Sequence, residues 1–173
     1  MPSADLPCPA APWMRWRCWR AVWTVLLFGN LPGVALAYTC SVSATATAFG
    51  TYVPTALVAN DTTGTVTVTC NANISVLTAN YTLALSTGGS ASYANRLMSG
   101  GGHTLQYQLY KDVARTTVWG DGTASTSTVA GSVLLSLIFP VLGSHTVYGR
   151  MPASQTGTYA GSYSDTITVT VTY

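Results

Sequence analysis

The final eight residues, Thr166-Ile167-Thr168-Val169-Thr170-Val171-Thr172-Tyr173, alternate hydroxyl and apolar side chains, and the apolar set is never interrupted. A period of two is the spacing at which a β-strand sends successive side chains to opposite faces; a helix cannot gather such a pattern onto one side. It predicts a strand that turns Ile167, Val169, Val171 and Tyr173 inward and shows its threonines to water. The same rhythm recurs upstream. Thr65-Val66-Thr67-Val68-Thr69-Cys70 turns Val66, Val68 and Cys70 one way and its threonines the other. Tyr81-Thr82-Leu83-Ala84-Leu85-Ser86 points Tyr81, Leu83 and Leu85 inward, and Leu105, Tyr107 and Leu109 share a face opposite Gln106, Gln108 and Tyr110. Residues 133–139 are mostly apolar and close at Pro140, and 146–151 make a further short strand. Turn formers separate these runs, among them Thr87-Gly88-Gly89-Ser90, Ser99-Gly100-Gly101-Gly102 and Trp119-Gly120-Asp121-Gly122. About seven short strands with regular turns and no helical apolar period predict an all-β fold, an immunoglobulin-like antiparallel β-sandwich with an incomplete final strand. A closed barrel is the alternative.

The chain has 173 residues, room for one such domain, and its first 37 read differently. Met14-Arg15-Trp16-Arg17-Cys18-Trp19-Arg20 supplies positive charge, residues 21–28 an apolar run, and Ala35-Leu36-Ala37 a small-x-small ending. That layout is a secretory signal peptide cleaved after Ala37. Residues 1–13 add no signal feature, which makes Met14 an alternative start. An uncleaved anchor is the competing reading, but Gly29, Asn30 and Pro32 break the run well short of a bilayer core of about 30 Å. A lipid anchor on Cys40 is opposed by Thr39, where such signals carry Gly, Ala or Ser. The expected division is a leader over 1–37 and a β-sandwich domain over 38–173, exported, with no stable membrane anchor after cleavage.

Without the leader the composition changes character. Arg96, Lys111, Arg115 and Arg150 stand against Asp61, Asp112, Asp121 and Asp165, so residues 38–173 carry no formal net charge, and no basic patch invites nucleic acid or anionic lipid. Two cysteines remain, Cys40 and Cys70, and in an exported domain they most simply form one disulfide. A metal or redox pair is the alternative, and neither a CxxC spacing nor an adjacent histidine supports it.

Catalytic patterns are sparse. His103 and His145 sit beside turn residues and read as solvated loop histidines. Nothing resembles a nucleophile elbow, no glutamate exists to pair with the few aspartates, and the glycines at 100–102 lack the Lys-Ser/Thr of a phosphate loop. The expectation is a protein that is not an enzyme and needs no cofactor or metal. Trp119, beside the turn dipeptide Asp121-Gly122, reads as a core or loop anchor, with a surface platform for a sugar as the competing role.

An ordered set of segments resembles a known family. Cys40-Ser41-Val42, Phe49-Gly50-Thr51-Tyr52 and the 65–70 strand come first. Arg96-Leu97-Met98, Leu105-Gln106-Tyr107-Gln108-Leu109-Tyr110 and Ala114-Arg115-Thr116 follow, then Trp119-Gly120-Asp121-Gly122. Val147-Tyr148-Gly149-Arg150-Met151-Pro152 and Gly161-Ser162-Tyr163-Ser164-Asp165-Thr166 complete it. Together they resemble the spore coat protein U domain, a relative of archaic chaperone–usher pilus subunits. The resemblance implies an incomplete immunoglobulin-like fold whose missing strand is supplied first by a periplasmic chaperone and then, at an usher, by a neighbouring pilin-like subunit. The strand that ends at Tyr173 agrees, because it leaves a sheet edge vacant beside Ile167, Val169 and Val171. The amino end departs from the pattern. Cleavage after Ala37 leaves Tyr38 and Thr39 ahead of Cys40, and two residues reach only about 7 Å. The expectation is therefore a structural or assembly protein of a coat or pilus that accepts a strand without donating one. The alternative is a secreted monomeric carbohydrate- or surface-binding module.

Overall fold

The computed structural model describes residues 38–72 and 78–173, and the expected leader, 1–37, lies outside them. Eight strands make up the described fold: β1 (Tyr38–Ala44), β2 (Asn60–Ala72), β3 (Thr78–Leu85), β4 (Arg96–Gly100), β5 (His103–Tyr110), β6 (Val129–Leu134), β7 (Val141–Met151) and β8 (Val169–Thr172). They form two antiparallel sheets, one in the order β1-β2-β7-β5-β4 and the other β6-β3-β8. The alternating runs fill the space between them. Val66, Val68 and Cys70 of β2, Tyr81, Leu83 and Leu85 of β3, and Leu105, Tyr107 and Leu109 of β5 are all buried. Cys40 and Cys70 lie directly opposite each other on β1 and β2 and are joined as a disulfide.

Three local expectations are corrected. The apolar run at 133–139 is not a strand along its length: β6 ends at Leu134, and Leu137, Ile138 and Phe139 are exposed. The strand begins earlier because Tyr81, its neighbour on β3, needs room. Tyr81 pairs with Gly131 in register, and a Cβ at either Gly131 or Gly143 would collide with its ring or hydroxyl. Gln108, expected outside, is buried because its amide is used: Oε1 accepts from Arg96 Nη1 at 2.7 Å and Nε2 donates to the Tyr93 carbonyl at 2.6 Å. The final strand is regular only over Val169–Thr172, where it pairs with β3. Ahead of it the chain crosses from one sheet to the other, and Ser164 exchanges backbone hydrogen bonds with Ser99 of β4 at 2.9 and 3.1 Å.

Both histidines lie on strands rather than in solvated loops. His103 opens β5 and stacks on Tyr159, with ring centroids 4.0 Å apart. His145 lies in β7, half-buried, with Nε2 2.9 Å from the Tyr81 hydroxyl. Burial holds the His145 imidazole below its ordinary value of 6.5. The folded state therefore favours the neutral ring, and its contribution to stability is complete above the unfolded value and lost as pH falls from there through the folded one. We expect the thermal midpoint to decline as pH falls below about 6.5, ahead of the acid loss due to carboxylates, and this early decline to vanish in His145→Gln. Identical slopes in the two proteins would exclude His145 as its source.

Candidate functional site

Burial is uneven around the sandwich. Under β2 and β3 the inward positions are sealed, whereas along the last segment Tyr163, Asp165, Ile167, Val169 and Val171 are only half-buried and Tyr173 is exposed. Across from them, β1 shows the same deficit: Tyr38, Cys40 and Val42 are half-buried, and Ala44 and Ala46 are exposed. The alternation predicted for the final strand holds in direction, but its inward face lacks a lid.

Between these two stretches runs an open groove. Its first part, about 460 Å³, has Ala44, Ala46 and Phe49 on one rim and Ile167 and Val169 on the other, over a floor that includes Val66, Leu85, Leu109 and Val147. A second part of about 700 Å³ continues past Thr47, Phe49, Met98 and Tyr163, which line both, and is flanked by Tyr52 and Tyr159. At the opposite end the groove is closed by Tyr38 against Tyr173, with ring centroids 5.5 Å apart. One edge of β8 is bonded to β3, and its other edge carries no strand among the described residues. Apolar walls beside unpaired N–H and C=O groups are the chemistry of a strand-binding site, and they are an aggregation hazard if left uncovered.

Polar groups hold the carboxyl-side rim in place. Asp165 Oδ2 accepts a hydrogen bond from the Tyr107 hydroxyl at 2.6 Å, and Oδ1 accepts from the Gly89 and Thr166 amides at 2.9 and 2.8 Å. Gly88, at φ +72°, lets the backbone turn under this carboxylate, which any Cβ there would strike. Behind lies Arg96, with no exposed surface, donating to the Ser86 and Trp119 carbonyls and to Gln108. Burial lowers the Arg96 value, while Tyr107, Tyr93 and Asp165 favour its charge; burial likewise pushes the Tyr107 phenol up. Tyr93 covers the guanidinium, whose carbon is 5.2 Å from the ring centroid.

Of the residues singled out in the sequence, Ile167 and Val169 line the groove, Val171 follows on the same face, and Tyr173 closes its end. Cys40 and Cys70 are joined behind the opposite rim. Trp119 is not a surface platform. It has no exposed surface, its indole Nε1 donates to the Leu83 carbonyl at 3.1 Å, and neither ring face is open to a sugar. The sequence reading missed the 44–49 rim and the Arg96–Asp165 support. An inward-facing aspartate in a strand of alternating apolar residues was the available signal.

The spore coat protein U domain model matches residues 30–170. The chain belongs to the spore coat protein U domain family. No curated protein matches it. Among solved structures this domain is similar to the crystal structure of the CsuC–CsuE chaperone–tip adhesion subunit pre-assembly complex from archaic chaperone–usher Csu pili of Acinetobacter baumannii. The TM-score is 0.52 at 23% identity, over 79% of this chain and 40% of that one. At that identity the likeness establishes the fold. No helix among the described residues is long and apolar enough to cross a membrane.

Proposed function

We propose that this domain is an exported, non-catalytic subunit of a bacterial coat or chaperone–usher pilus, and that it accepts a β-strand from a partner in the groove beside β8. The observation that carries this is the half-buried inward face of 163–171, next to an edge of β8 that has no hydrogen-bonded strand among the described residues. Five donor side chains buried at about 1.5–3 kcal/mol each give a gross gain of about 7–15 kcal/mol, comparable to the whole stability of a small domain. Family membership and the likeness to a chaperone-bound pilus subunit favour the same reading, with a periplasmic chaperone as first partner and an usher and further subunits after it.

The test is to produce the chain by export with and without a candidate chaperone or an alternating apolar peptide, then compare thermal midpoints. A rise of at least 10 °C with the donor is expected, because about 1 kcal/mol already shifts a domain of this size by several degrees. Val169→Asp, which puts a charge on the groove wall, is expected to abolish the rise. A stable monomer indifferent to every donor would sink strand acceptance.

A second reading is favoured by one separate observation. Leu134, Leu137, Ile138, Phe139 and Leu142 cluster at the β6–β7 connection with more than half of each exposed, Ile138 at 77%. Contiguous exposed apolar side chains mark contact surfaces. On this reading the domain attaches to apolar surfaces through that loop. Ile138→Ser with Phe139→Ser is expected to remove adsorption to an octyl-coated support while leaving donor binding unchanged.

A further inference from the structure

The strand-accepting reading leaves open what the incoming strand must look like, and the groove answers part of that. Its carboxyl-side rim presents Val169, Ile167, Asp165 and Tyr163 in alternation, so an otherwise apolar wall is interrupted once, by a carboxylate. Asp165 is half-buried and lines the groove, and its known acceptor bonds come from Tyr107 and from the Gly89 and Thr166 amides. An ionised carboxylate offers about four lone-pair sites, so capacity remains for one more donor. Covering it with a strand removes water from that site, and an aliphatic side chain placed there would leave its remaining lone pair without a donor.

We infer that Asp165 sets the register and part of the specificity of strand acceptance, by requiring a neutral hydrogen-bond donor, a Thr, Ser or Asn, at one inward position of an otherwise apolar donor strand. This rests on the groove being the acceptor site. The donor is neutral rather than a lysine because the charge is already balanced. Arg96 lies fully buried behind Tyr107 with no carboxylate among its hydrogen-bond partners, and Asp165 favours its charged form. A second cation would leave an excess buried charge. The rims at 44–54 and 158–169 are long enough for a partner segment of about ten residues, roughly 33 Å when extended. Beyond Tyr163 the walls turn polar, with Thr158, Tyr159 and Ser162, so apolar side chains belong on the Val169 side of the polar position and small polar ones on the other.

The experiment uses the full chain and a set of labelled ten-residue peptides with valine at every inward position, in which threonine or lysine replaces one valine at a time. Fluorescence anisotropy gives each affinity. At one position, and only one, threonine is expected to bind at least tenfold tighter than valine, with lysine no better than valine. In Asp165→Val that preference is expected to invert. Should that variant fail to fold, Asp165→Asn serves instead: it keeps an acceptor for the Gly89 amide and is expected to cut the threonine advantage severalfold. Valine preferred at every position in the unaltered chain, with measurable binding throughout, would overturn the role of Asp165 while leaving strand acceptance intact. A lysine preference would overturn the neutral-donor assignment. Absence of binding by every peptide would remove the underlying reading and this inference with it.

Discussion

Replacing Arg96 with alanine is expected to cost about 3–5 kcal/mol and to leave little folded protein, although the residue is neither catalytic nor at the surface. Its guanidinium has no exposed surface and donates to Gln108 Oε1 at 2.7 Å, to the Trp119 carbonyl at 2.8 Å and, through Nε and Nη2, to the Ser86 carbonyl at 3.2 and 2.8 Å. Removing it strands the Trp119 and Ser86 carbonyls at about 1 kcal/mol or more each, leaves Gln108 Oε1 with the Leu109 amide alone, and opens a cavity beside Trp119. Arg96→Met fills the space without the donors and is expected to recover only part of the loss. Arg96→Lys keeps the charge but not the planar fork, so it cannot serve carbonyls on opposite sides of the site. Urea denaturation of the three variants checks the ranking Lys above Met above Ala. An alanine variant within about 1 kcal/mol of the unaltered protein would show that water or side-chain movement satisfies those acceptors.

The second large effect belongs to the disulfide. Cys40 and Cys70 are 30 residues apart, and opening a loop of that size is expected to cost roughly 3–4 kcal/mol through the greater freedom of the unfolded chain. Beyond stability, the loss is local. Among the described residues β1 is an edge strand bonded in its sheet to β2 alone, and it borders the groove. The Cys40→Ser, Cys70→Ser double variant is expected to lose both thermal stability and donor binding. The unaltered chain should match it after reduction, and the variant itself should be insensitive to reductant. A double variant that melts with the oxidised protein would mean that the backbone ladder alone secures β1.

Much of the fold was legible because alternation is a local signal. At 65–70 and 81–86, where the alternation is strict, the inward side chains are buried as expected, whereas along 166–173 the same pattern gives the right facing but only half-burial. Where the argument relied on apolar content without alternation, at 133–139, the strand was misplaced by several residues. Its true course is set by Gly131 making way for a tyrosine from another strand, a steric fact with no local trace. Arg96 was read only as part of a family segment, since its partners are the carbonyls of Ser86 and Trp119, and backbone atoms leave no signature in composition. The candidate site was half visible. Its Ile167 and Val169 wall follows from the alternation at the carboxyl end. The other wall, Ala44 to Phe49, consists apart from Phe49 of alanines and threonines, whose role emerges only when the chain leaves β1 and runs along the opening. Trp119 was read as a core or loop anchor, and its burial agrees with that rather than with the competing sugar platform, its indole N–H donating to the Leu83 carbonyl in the core.

The directly opposed pair Cys40 and Cys70 also decides how the domain bears a pull. Tension applied at Tyr38 would ordinarily peel an antiparallel edge strand one rung at a time. Here only the rungs at Tyr38 and Thr39 lie in front of the sulfur bridge. Past them the load passes covalently from β1 to β2, which pairs with β1 over Val66–Ala72 and with β7 over Asn60–Cys70. Force is thereby delivered past the edge of the larger sheet to β2, as shear along many hydrogen bonds. The edge of β8 that we propose accepts a strand sits in the other sheet.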